Sequence, residues 1–87
     1  MTLKVELLGN VHGVGLRKLL YKRAVNLNLS GYVTNKPKSV YLEATGDYDE
    51  LSELLHEALF GDEYARIDNS IVTIDRNNLH RDGFSII

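Results

Sequence analysis

The chain has 87 residues, a formal net charge of −2 and no cysteine. This length fits one domain and excludes a (β/α)₈ barrel, which needs about 250 residues. Because there is no basic excess, we expect no nucleic-acid partner. The absence of cysteine fits a reducing compartment, and no apolar run is long enough to cross a membrane. With no signal-peptide pattern at the N-terminus, we expect a cytoplasmic protein.

The first third of the chain predicts a strand, a glycine-rich loop and a helix. Leu3, Val5 and Leu7 alternate with charged residues, which is typical of a strand. The stretch Gly9–Gly15 then holds three glycines in seven residues. After it the apolar spacing becomes helical, and the helix is expected to end near Asn28; its apolar positions are Leu16, Leu20, Ala24 and Leu27.

The middle of the chain predicts a hairpin and a second helix. Tyr32–Thr34 and Val40–Thr45 have strand character and flank a turn at residues 35–39. A helix is predicted over Asp47–Phe60, and either Asp47 or Asp49 can cap its start. The prediction rests on apolar residues at helical spacing, Leu51, Leu54, Leu55, Ala58 and Leu59.

Two further strands are predicted in the last third. Ala65, Ile67, Val72 and Ile74 indicate a longer strand whose parity shifts, so we expect a bulge near Asn69-Ser70. Phe84 and Ile86 form a last short strand. The order βαββαβ plus a short strand predicts a ferredoxin-like split βαβ sandwich of the α+β class, with two helices on one face of an antiparallel sheet. We expect residues 1–87 to form this single domain.

The glycine-rich loop carries the clearest chemical signal. Glycines allow positive φ, so that successive N–H groups can point inward and form an anion-binding nest. Arg17 follows in the first helical turn, where a cation opposes the helix dipole unless an anion binds. The arginine fork matches two phosphate oxygens, so the pattern favours a phosphate-sized ligand. A tight connection with Arg17 pointing into water is the alternative from spacing alone.

Two motifs identify a family resemblance. Gly9-Asn10-Val11-His12-Gly13-Val14-Gly15-Leu16-Arg17 resembles the signature of the acylphosphatase family, and Gly31-Tyr32-Val33-Thr34-Asn35 resembles its Gly-aromatic-Val-x-Asn block. Weaker similarity extends over nearly the whole chain. The resemblance implies metal-independent hydrolysis of a small acyl phosphate to a carboxylate and inorganic phosphate, without a cofactor.

The resemblance also implies roles for individual residues. Arg17 would bind the phosphoryl oxygens, and Asn35 would position the attacking water. The backbone N–H groups of the loop would cradle the phosphate, at positions His12, Gly13, Val14, Gly15 and Leu16. No metal ligand is implied, and we expect a monomer.

Some departures from the family pattern leave an alternative open. His12 stands where glutamine is usual, and the turn after Asn35 is one residue shorter. Lys36 and Lys38 in that turn either attract the substrate or are simply solvated. The alternative function is a non-catalytic regulatory module of the same fold that binds a small anion or an amino acid. An RNA-binding sheet of this topology is disfavoured, because the strands lack its aromatic and basic block.

Overall fold

Seven elements follow one another along the chain in a computed structural model that describes residues 1–87. Five are strands and two are helices, with the bounds β1 (Thr2–Asn10), α1 (Leu16–Asn26), β2 (Ser30–Lys36), β3 (Ser39–Thr45), α2 (Tyr48–Phe60), β4 (Arg66–Asp75) and β5 (Phe84–Ile86). Every predicted element is present. The ferredoxin-like α+β fold is therefore confirmed. Neither helix is long and apolar enough to cross a membrane.

The five strands form one sheet in the order β4-β1-β3-β2-β5. The four long strands pair antiparallel, as expected, whereas β5 pairs parallel with β2. The reason is the path of the chain. β4 lies at one edge of the sheet and runs in the direction opposite to β2. The connection over residues 76–83 leads from the end of β4 to the other edge. β5 starts there and runs in the same direction as β2.

A β-bulge separates the two halves of β4. Leu8 on β1 pairs with Asn69, but Gly9 pairs with Ile67, so Asp68 is the extra residue. The bulge lies one position before the predicted site. A side chain on Gly9, whose φ is +139°, would clash with the backbone carbonyl of Arg66, and glycine therefore permits the close approach of the two strands.

The core lies between one face of the sheet and the two helices. Most of its side chains come from alternating positions of the strands and from one stripe of each helix, and they include Leu3, Val5 and Leu7 from β1; Leu16, Leu20 and Ala24 from α1; and Leu51, Leu54 and Ala58 from α2. The predicted periodicity is confirmed for these elements. Val72 and Ile74 remain 43% and 53% exposed, because β4 is an edge strand that the helices cover only in part.

A hydrogen-bond network on the other face of the sheet anchors the connection between β4 and β5. The Glu43 carboxylate accepts a hydrogen bond from the Tyr41 hydroxyl at 2.5 Å and lies 2.8 Å from Nε2 of His80. Burial alone would raise the pKa of Glu43. The hydrogen bonds from Tyr41 and His80, together with the charge of Lys4, outweigh it and hold the pKa below its ordinary value.

We predict that Glu43→Gln lowers the free energy of unfolding by about 1–3 kcal/mol at neutral pH, because a neutral amide accepts weaker hydrogen bonds. The pKa of Glu43 is depressed in the folded state, so its contribution is fully present above the unfolded value of 4.5. It is lost as the pH falls through the folded pKa. The gap between the wild type and Glu43→Gln should therefore close on acidification, as measured by urea denaturation.

Glu63→Gln is the control for this prediction, because Glu63 is exposed in the loop after α2. Its effect should stay within about 0.5 kcal/mol at every pH. A gap between the wild type and Glu43→Gln that does not change with pH would contradict the role of the Glu43 charge.

Candidate active site

The pairing of three strands brings the predicted site residues to one end of the sheet. Leu7 of β1 lies opposite Val40 of β3, and Val40 lies opposite Asn35 of β2. Adjacent strands are about 4.8 Å apart, so Asn35 lies roughly 10 Å from Leu7. The loop that follows β1 therefore begins at the same end of the sheet at which β2 carries Asn35.

A cavity of about 370 Å³ opens at this end of the sheet. Arg17 and Lys18 from the first turn of α1 line it, together with Asn35 from β2 and Ile86 from β5. The loop contributes Val11, Gly13 and Gly15, and Leu16, the first residue of α1, completes the lining. The structure thus brings Arg17 and Asn35, which are 18 positions apart in the sequence, to one cavity.

The loop and the start of α1 leave a run of backbone donors without backbone partners. Gly13 and Gly15 have φ angles of +73° and +83°, in the left-handed region that glycine adopts readily. None of the N–H groups of residues 12–18 donates to a backbone carbonyl. The first such bond runs from Leu19 N–H to the carbonyl of Gly15, at 3.1 Å. Donors left at a helix start are the usual elements of an anion site.

The two helices begin in opposite electrostatic environments. α2 begins after Asp47, with Asp49 and Glu50 in its first turn, which suits the positive end of the helix dipole. The Asp47 side chain makes no capping hydrogen bond, although it occupies the predicted cap position. α1 begins after Gly15 with no side-chain cap and no acid in its first turn. The start of α1 is therefore suited to an anion.

The two cations at this site are not neutralised by the chain. Arg17 is half-buried and Lys18 is exposed. The ion pairs of the structure join other residues: Arg23 with Glu53, Arg66 with Asp68, and His80 with Glu43. Backbone donors and two free cations consequently face one cavity, whose lining contains no carboxylate.

The side chains of the predicted loop residues have different surroundings. His12 turns towards β3, where its Nε2 lies 2.7 Å from the carbonyl of Ser39. Val14 packs against the core, and Leu16 is only 1% exposed although it borders the cavity. Gly13 and Gly15 line the cavity with Leu16, whereas the side chains of His12 and Val14 do not. Binding by the N–H groups of these five residues stays a prediction.

The short turn after Asn35 does not bring its lysines into the lining of the cavity. β2 and β3 are joined by Pro37 and Lys38 alone, and Asn35 is still part of β2. The Lys36 ammonium lies 4.4 Å from the centre of the Tyr41 ring, on the face of the sheet opposite the helices. Neither Lys36 nor Lys38 lines the cavity, which favours the solvated turn.

Ile86 is a cavity residue that the sequence did not single out. Periodicity predicts only that its segment is a short strand, and it carries no information on which strand this one joins. The parallel pairing of β5 with β2 brings it beside the cavity.

Known proteins are similar to this chain over most of its length. The acylphosphatase family model matches residues 3–86. An acylphosphatase from Caldanaerobacter subterraneus subsp. tengcongensis is 39% identical over 69 residues, which cover 78% of this chain and 77% of that protein. An acylphosphatase from Deinococcus radiodurans is 38% identical over 68 residues, which cover 77% of this chain and 78% of that protein.

A solved structure agrees with these relatives. The crystal structure of acylphosphatase from Bacillus subtilis has a TM-score of 0.92 and 25% sequence identity, over 99% of this chain and 97% of that chain. The family match spans the glycine-rich loop, Arg17 and Asn35. This chain belongs to the acylphosphatase family.

Proposed function

We propose that this chain hydrolyses acyl phosphates to a carboxylate and inorganic phosphate, with Arg17 and Asn35 as its catalytic residues. Membership of the acylphosphatase family supports the reaction. The observation that carries the residue assignment is the cavity in which Arg17, Asn35 and the free donors of the loop converge. A non-catalytic binding module is not favoured, since the relatives that match are named acylphosphatase.

The phosphoryl group binds between the loop and Arg17. The N–H groups at positions His12, Gly13, Val14, Gly15 and Leu16 donate to its oxygens, and the guanidinium of Arg17 donates two further hydrogen bonds. These donors are fixed by the backbone before the substrate arrives. They stabilise negative charge on the phosphoryl oxygens in the transition state without reorganisation.

Asn35 holds the attacking water in line with the bond that breaks. Its side-chain carbonyl accepts a hydrogen bond from the water, and β2 fixes its backbone opposite Val40. An amide is not a base at neutral pH. The proton of the water is therefore transferred to a phosphoryl oxygen of the substrate.

The leaving group departs without help from an acid. The water oxygen forms a bond to phosphorus, and the bond between phosphorus and the acyl oxygen breaks with its electron pair going to the carboxylate. The conjugate acid of a carboxylate has a pKa of about 4, so this group leaves as an anion. Positioning and charge stabilisation are the remaining requirements, and both come from the cavity.

The chain is further proposed to act as a single-domain monomer in the cytoplasm, with no nucleic-acid partner. The net charge of −2 supports the absence of a nucleic-acid partner, and the absence of cysteine fits the cytoplasm. Size-exclusion chromatography with light scattering tests the monomer. A mass of twice 9.8 kDa would contradict it.

Arg17→Ala is predicted to lower kcat/KM for benzoyl phosphate by about 10²–10³-fold, because it removes charge stabilisation in the transition state. Arg81→Ala is the matched control, since Arg81 is exposed in the connection between β4 and β5 and takes part in no ion pair. Hydrolysis is followed by loss of substrate absorbance, with thermal unfolding to verify folding. Equal rates for the wild type and folded Arg17→Ala would refute the role of Arg17.

Asn35→Ala is predicted to lower kcat by about 10²-fold, because the water loses its in-line position. Inhibition by inorganic phosphate should change little, since Asn35 contacts water rather than the phosphoryl group. Asn26→Ala, at the far end of α1, is the control. If Asn35→Ala weakens phosphate inhibition as strongly as it slows turnover, Asn35 binds the phosphoryl group instead.

A comparison of Gly15→Ala with Gly83→Ala is predicted to separate the effect of backbone strain on stability from the effect of the loop on phosphate binding. Both glycines have positive φ, +83° and +87°, and a Cβ at either position meets no atom within 4 Å. Each substitution should therefore cost about 1–2 kcal/mol of stability through backbone strain. Gly15→Ala should also weaken inhibition by phosphate, because it shifts the donors of the loop. Equal inhibition constants for the two folded variants would argue against the backbone cradle.

A further inference from the structure

The cavity has more room than a phosphoryl group needs. Its volume is about 370 Å³. A water molecule takes about 30 Å³ of liquid volume, and a phosphoryl group has only a few heavy atoms. Most of the cavity therefore remains for the acyl part of the substrate once the phosphoryl group binds at the loop.

The position of Ile86 follows from the pairing of β5 with β2. Ile86 lies beside Val33, and paired residues on neighbouring strands face the same side of the sheet. Asn35 is two residues after Val33, so it faces that side as well. β5 is held in place because Ile87 N–H donates to the carbonyl of Val33 at 3.0 Å. The Thr34 hydroxyl donates to the carbonyl of Ile87 at 2.8 Å.

Ile86 supplies accessible apolar surface that the rest of the cavity lacks. The other apolar side chains in the lining, Val11 and Leu16, are 3% and 1% exposed and belong to the core. Ile86 is 39% exposed. An apolar group bound beside Asn35 would cover this side chain and remove both apolar surfaces from water.

We propose that Ile86 contacts the acyl group of the substrate and makes this chain select acyl phosphates with an apolar acyl chain. The inference rests on the proposed function and deepens it. Lys18 also borders the cavity, and it would favour an acyl group that carries a carboxylate. An ammonium is strongly hydrated and sits on a flexible stem, and Lys18 is exposed, so the apolar wall that β5 holds in place determines selectivity.

A series of acyl phosphates tests the contact. Acetyl, butyryl and hexanoyl phosphate have the same reacting group and differ in apolar length, and kcat/KM is measured for each after correction for spontaneous hydrolysis. Each methylene that reaches Ile86 should raise kcat/KM by up to about fourfold. In Ile86→Ala, the ratio of kcat/KM for hexanoyl phosphate to that for acetyl phosphate should fall by about tenfold.

The matched control is Ile74→Ala on the opposite edge of the sheet, where Ile74 is 53% exposed. This variant should keep the wild-type ratio. An unchanged ratio in Ile86→Ala, with turnover intact, overturns the contact and leaves the proposed function standing. A wild-type preference for succinyl over butyryl phosphate also overturns it, in favour of Lys18. Absence of turnover of every substrate by the wild type overturns both the contact and the proposed function.

Discussion

The start of α1 combines free backbone donors with two cations and no acid, and the functional site is built around this imbalance. A helix start normally satisfies its donors with a capping side chain and its dipole with Asp or Glu, as the first turn of α2 illustrates for the charge. At α1 neither requirement is met by the chain itself, which suits the anion site that we propose. The glycine conformations at Gly13 and Gly15 are needed for the same reason, because they shape the loop that presents the donors.

The sheet determines what surrounds this anion site. β3 lies between β1 and β2, so the loop after β1 and the end of β2 meet at one end of the sheet. β5 then adds Ile86 from the other side of β2. The cations Arg17 and Lys18, the polar side chain of Asn35 and the apolar side chain of Ile86 thus come from separate parts of the chain. Each has a fixed place because its backbone is hydrogen-bonded into a helix or strand.

Features that depend on local sequence were predictable. The order of the elements follows from apolar periodicity, and the left-handed conformations of Gly13 and Gly15 fit the glycine-rich loop that the sequence predicts. The role of Asn35 came from the family resemblance rather than from local chemistry. The contact of His12 with Ser39 joins residues 27 positions apart, and that of His80 with Glu43 joins residues 37 apart. Such contacts depend on strand order, which periodicity does not encode.

The strand order also has a consequence for how the molecule folds. β2 and β3 are consecutive in the chain and adjacent in the sheet, whereas every other pair of neighbouring strands is distant in sequence. Nonlocal pairing slows folding, because a long loop must close before its contacts form. The β2–β3 hairpin can form early, with Asn35 already on it. Arg17 comes close to Asn35 only after β1 has docked against β3, so the cavity that these two residues line forms late in folding.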